Sequence, residues 1–212
     1  MYSPSHRFLF LHVSKTGGNS IQKILLPFSE DEMIINAHQD GVDRFGLRGP
    51  VTPSKHATLA EYEQRQPGIA QISRIAISVR EPFDRALSAY FSPHRWMTRN
   101  DDGSYRLSDP VWSEERFALF LASGELRSAA DWLRVDGTIR QPDHVIRFEM
   151  LEHDLKRFLG AVGLDANALP SMPHVNKSAA SGALKQKLAR DPALRHLVLE
   201  QYHEDAALFG YA

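Results

Sequence analysis

Lys15, Thr16, Gly17, Gly18, Asn19 and Ser20 form a run whose residue types suit the binding of a tetrahedral anion. Adjacent glycines let a backbone approach a ligand closely, and the N–H groups of a first helical turn lack intrahelical partners. Lys15 adds a cation, Thr16 and Ser20 add hydroxyls, and the expected guest is a phosphate or a sulfate. The Walker pattern GxxxxGK followed by Ser or Thr is not matched, because Lys15 precedes the glycines. Gly-Gly before a helix also serves as a plain tight turn, so the run alone leaves both readings open. Arg80, with Ser88 eight residues on, is a second candidate. A nucleotide triphosphatase or kinase wants an acid at a strand end to help hold Mg²⁺. An arginine there recognises another anion instead, and its planar fork suits phosphate oxygens. The pattern therefore predicts two anion pockets, one at residues 15–20 and one at Arg80 with Ser88.

The elements that would position these residues are legible as apolar runs. Phe8, Leu9, Phe10, Leu11 and Val13 read as a buried parallel strand, and Ile21, Ile24 and Leu25 as the helix that follows it. Residues 72–79, centred on Ile75, Ala76, Ile77 and Val79, are a second buried strand that ends at Arg80. Pro82 suits a first helical turn, and Phe83, Ala86, Leu87 and Tyr90 recur at helical spacing. Residues 145–148 suggest a third inner strand. A helix over 149–162 follows, with Leu151, Leu155, Phe158, Leu159 and Val162 as its apolar stripe and Gly163 as its stop.

Between these, residues 33–35 read as a short strand and 41–53 as a loop rich in glycine and proline. Thr58 and Glu61 have capping-box spacing and open a helix to about Gln66. Residues 92–109 are polar and irregular. They are expected to form a binding loop or lid in which Trp96 stacks on a sugar ring or anchors the loop to the core. A helix over 112–123 points Phe117, Phe120 and Leu121 inward, 170–178 is a second donor-rich loop, and two helices close the chain. Strands alternating with helices predict an α/β fold with a mostly parallel sheet covered on both faces. Ligands of such sheets sit beyond the carboxyl ends of the strands, so Lys15 and Arg80 are expected at one edge.

Composition narrows the partners. The 212 residues are expected to form a single domain over 1–212, with 42% hydrophobic and 24% charged residues. A net charge of −1 argues against broad attraction to nucleic acid or anionic membrane, so anion recognition must be local. The chain has no cysteine, which excludes disulfides, thiolate metal sites and a cysteine nucleophile and fits a reducing compartment. The apolar run near the N-terminus is too short for a signal sequence or a membrane span, and a cytoplasmic protein is expected.

KTGGNS after the first strand and REPFDRALSAY after a later one resemble the 5′-phosphosulfate loop and the 3′-phosphate motif of sulfotransferases that use 3′-phosphoadenosine 5′-phosphosulfate (PAPS). KHAT at 55–58, RFEML at 147–151, HVNKS at 174–178 and YHEDAALFGY at 202–211 resemble the carbohydrate branch, of chondroitin and HNK-1 type and more distantly heparan 2-O-sulfotransferases. The motifs cover nearly the whole chain in the expected order. The resemblance implies a P-loop NTPase-like three-layer fold, PAPS as co-substrate with no metal required, and transfer to a hydroxyl of a carbohydrate or other polar acceptor. It implies that Lys15 neutralises the bridging oxygen, that Thr16, Gly17, Gly18, Asn19 and Ser20 cradle the 5′-phosphosulfate, and that Arg80 and Ser88 hold the 3′-phosphate. His56 takes the place of the general base, with His174 in reserve, and histidine supplies the near-neutral pKa that an in-line transfer needs. Asn19 stands where Thr or Ser is common, Glu81 where Asp or Asn is usual, and Asp131-Trp132 where the branch often has His-Trp. A divergent nucleotide or small-molecule kinase and a non-catalytic nucleotide-binding module are the alternatives. Acceptor identity and oligomeric state are not legible.

Overall fold

The computed structural model describes residues 1–34, 45–165 and 182–211; the donor-rich loop expected at 170–178, with His174, lies outside them. Among the described residues there are two compact units, one of 1–34, 45–80 and 129–165, the other of 81–128 and 182–211.

The first unit holds the central sheet. Strand Phe8–His12 is buried along its whole length and runs parallel to Arg74–Val79, which runs parallel to His144–Arg147. Tyr2–Ser3 pairs antiparallel with the first of these and makes the sheet mostly, not wholly, parallel. Both faces are covered, which is why the inner strands read as continuous apolar runs. On one face Phe8, Phe10, Ala76 and Ile146 pack with Ile21, Ile24 and Leu25 of helix Gly18–Leu25 and with Leu155, Phe158 and Leu159 of helix Leu151–Ala161. On the other, Leu9, Leu11, Ile75 and Ile77 are equally buried. The register sets His12 opposite Ser78 and Val79 opposite Arg147, so the three parallel strands finish level. Whatever follows each strand is delivered to one edge.

The expected capping box is formed. Thr58 Oγ1 accepts from Glu61 N at 3.3 Å, and the Glu61 carboxylate accepts from Thr58 N at 2.7 Å, opening helix Leu59–Arg65. The short strand expected at 33–35 appears as Glu32–Ile34, but outside the central sheet. It pairs with Gly46–Arg48, inside the stretch read as loop. Three-residue strands are too short for alternation to show in the sequence.

The second unit is built on helices Pro82–Tyr90, Glu114–Ala122, Gly182–Ala189, Pro192–Gln201 and His203–Phe209. Phe117, Phe120 and Leu121 are buried, as expected. Among the described residues three helices close the chain where two were expected, because Tyr202, at φ −117° and ψ 34°, interrupts the last run. Residues 92–109 are not irregular throughout. Met97–Arg99 pairs antiparallel with Tyr105–Leu107 in a hairpin, preceded by the single turn Pro93–Trp96. Trp96 donates from Nε1 to the Tyr90 carbonyl at 2.9 Å and lies edge-on to the Tyr90 ring, so it anchors the segment. Among the described residues no helix is long and apolar enough to cross a membrane.

Candidate active site

Three cations stand at the level edge of the sheet. Lys15 lies three residues beyond Phe8–His12, Arg80 directly follows Arg74–Val79, and Arg147 ends His144–Arg147. The chain reverses between the first strand and helix Gly18–Leu25 through two successive left-handed turns of backbone, Lys15 at φ 70° and Gly17 at φ 79°. Thr16 is fully buried, and its hydroxyl donates to the Val13 carbonyl at 2.7 Å and sits 2.7 Å from the Ser78 hydroxyl. Its side chain therefore ties the loop to the neighbouring strand. Ser20 closes the first helical turn with an N–H to the Gly17 carbonyl at 3.0 Å.

Gly18 is glycine for a reason visible in its surroundings. A Cβ there would fall 2.0 Å from the His12 ring. Gly18→Ala is expected to cost about 1–3 kcal/mol through overpacking, read as a lower denaturant midpoint at unchanged slope. At Gly17 the left-handed φ and the Phe148 ring, 3.0 Å from a built Cβ, act together. Phe148 also carries the Arg80 guanidinium over its face at 4.0 Å, so one half-exposed phenyl touches the loop glycine and the strand-end arginine.

His56 comes from the turn before helix Leu59–Arg65 and lies beside the end of the first strand. Its Nδ1 is 2.9 Å from the His12 carbonyl, and its ring is 4.3 Å from the His12 ring, centroid to centroid. A carbonyl can only accept, so Nδ1 carries the proton and Nε2 keeps its lone pair. The Trp132 indole donates to the His56 carbonyl at 3.0 Å and fixes its main chain. His56 is partly exposed, with the His12 ring packed against its own. Desolvation pushes its pKa below the usual histidine value, the charges of Lys55 and Lys15 push the same way, and the bond to the His12 carbonyl opposes them. His56 is thus neutral near pH 7, with an acceptor nitrogen, the form a general base needs.

The sequence matches the model of the Sulfotransferase family over residues 1–212, the whole chain. The chain belongs to the sulfotransferase family. No curated protein and no solved structure matches it.

This sulfotransferase is therefore a transferase of sulfuryl groups, with a sulfate donor and an acceptor as its substrates, and its mostly parallel sheet is that of the P-loop-like fold. Of the residues singled out in the sequence, Lys15, Thr16, Gly17, Gly18, Asn19, Ser20, His56 and Arg80 all fall in its first unit. Ser88 falls in the second, buried on helix Pro82–Tyr90. Arg85, on the same helix, pairs with Asp205 at 3.4 Å and donates to the Arg127 carbonyl at 2.8 Å. Phe148 and Gln22 were missed. A phenylalanine after a strand reads as core, and a glutamine on an amphipathic helix reads as surface, although Gln22 is fully buried.

Proposed function

We propose that the chain transfers the sulfuryl group of PAPS to a hydroxyl of a carbohydrate or other polar acceptor, as one catalytic domain over 1–212. The observation that carries this reading is the combination, in one unit, of a cationic sheet edge with a neutral histidine whose Nε2 is a proton acceptor. The residues fit the donor: two glycines that no larger side chain could replace without displacement form the cradle, and Lys15, Arg80 and Arg147 supply charge for its anionic groups. PAPS supplies an activated sulfuryl group on a phosphate. Lys15 with the N–H groups of Thr16, Gly17, Gly18 and Asn19 and the hydroxyl of Ser20 holds the phosphosulfate end. Arg80 binds the 3′-phosphate, and Ser88 keeps the part that the family resemblance assigns to it. As the acceptor oxygen bonds to sulfur, its proton passes to His56 Nε2, and Lys15 neutralises the bridging oxygen that departs with the bisphosphate. Fixed donors aimed at developing charge are sufficient chemistry for such a displacement.

The kinase alternative is disfavoured by how the nearest acid is used. Glu81, next to Arg80, accepts from Asp84 N at 2.7 Å as the cap of helix Pro82–Tyr90 and from Arg195 at 3.2 Å. The lack of cysteine supports a reducing compartment, and we place the protein in the cytoplasm. The expected result is that 3′,5′-adenosine bisphosphate raises the melting temperature without added metal and that ³⁵S from labelled PAPS appears on a member of a glycan panel. Stabilisation by Mg-ATP alone would overturn the reading, and bisphosphate binding without transfer to any acceptor would leave a binding module.

A further inference from the structure

Behind His56 lies a closed circuit of hydrogen bonds whose every direction is forced. Gln22 Nε2 is 3.1 Å from the Lys55 carbonyl, which can only accept, so the amide nitrogen donates there. That orients Gln22 Oε1 toward His12 Nδ1, 2.9 Å away, and makes His12 Nδ1 the donor. His56 Nδ1 in turn donates to the His12 carbonyl at 2.9 Å. The covalent bond from Lys55 to His56 completes the ring. Gln22 and His12 are both buried, at 0% and 4% exposure, so these bonds face little competition from water.

The circuit also reaches the donor side. Gln22 belongs to helix Gly18–Leu25, whose first turn is the anion-binding end, and the His12 ring presses against Gly18 at the start of that helix. The element that carries the donor loop is thereby tied to the main chain just before the candidate base, at the Lys55 carbonyl through Gln22, and to the His56 ring itself through His12.

We infer that Gln22 is a positioning residue for the transfer: through His12 and the Lys55 carbonyl it holds His56 in a single orientation, with the proton on Nδ1 and Nε2 as acceptor. The inference rests on the reading of His56 as the base, but its structural content can be observed without the acceptor. The charged or titratable groups acting on His56 are His12, Lys55, Lys15 and the N-terminal ammonium of Met1.

The test is histidine ring ¹⁵N spectroscopy of the full chain across pH. In the parent protein His56 is expected as one neutral tautomer, protonated at Nδ1 and titrating below its usual range. In Gln22→Met, which keeps side-chain length without the two bonds, the Nε2-protonated tautomer is expected to appear and the titration to move back toward that range. Bisphosphate affinity should stay within about twofold while transfer falls about 10- to 100-fold, the penalty of a base set off its line. His12→Phe keeps an aromatic ring beside His56 and the main-chain carbonyl but loses the Gln22 bond, and is expected to show the same tautomer mixing. A parent His56 protonated at Nε2 or a folded variant with unaltered His56 signals overturns the inference. Failure to bind bisphosphate with the tautomer shift intact would instead strike the sulfotransferase donor reading and leave the circuit standing.

Discussion

His56→Ala is expected to bind 3′,5′-adenosine bisphosphate about as tightly as the parent chain and to transfer sulfuryl groups roughly 10²- to 10⁴-fold more slowly, the span that a positioned general base contributes. The separation of the two effects is what the geometry predicts. His56 meets the loop end through its imidazole and the His12 carbonyl, whereas the loop's own turn is built from Lys15, Gly17 and the Thr16 hydroxyl. Single-turnover transfer of ³⁵S checks the rate, and thermal shift checks the binding. The pH profile carries a sign. Because burial and the neighbouring lysines lower the pKa of His56, the neutral base persists below the usual histidine midpoint of about 6.5. Activity in the parent chain should therefore hold as pH falls to about 6.5 and decline only on further acidification. Full turnover by His56→Ala would assign the base elsewhere.

Arg80→Ala is expected to remove most of the thermal shift given by the bisphosphate. Hydrogen bonds to a charged group contribute about 1.5–3 kcal/mol, so the dissociation constant should rise roughly 10- to 150-fold. The guanidinium is held over the Phe148 ring at 4.0 Å, which limits its freedom before any ligand arrives and makes the fork a prepared one. Isothermal titration of the bisphosphate is the direct measurement. An unchanged affinity would remove Arg80 from the 3′-phosphate pocket.

The parts of this arrangement that were legible beforehand are those with a strong local signal. Phe8 to Leu11 and Ile75 to Val79 are apolar without interruption because both sheet faces are covered, and that continuity located the strand ends and with them Lys15 and Arg80. Thr58 and Glu61 announced a helix start by chemistry confined to four residues. The hairpin of Met97–Arg99 and Tyr105–Leu107 had no such signal. Its strands are three residues long and polar in part, and its hold on the core comes from Trp96 and Tyr90 rather than from alternation. Gln22 was illegible for a different reason: its meaning resides in Lys55 and His12, distant in sequence, and no helical periodicity marks a buried amide. The tautomer of His56 likewise depends on a carbonyl forty-four residues away along the chain.

Lys15 is a non-glycine residue in the left-handed region, at φ 70°. Such a conformation costs an L-residue roughly 1–2 kcal/mol, which a glycine at this position would recover. The same exchange would strip the sheet edge of its first cation, so folding and the proposed transfer select opposite residues here. Any search for more thermostable variants of this protein will be drawn to position 15, and the substitution it favours there would remove the lysine proposed to neutralise the leaving oxygen.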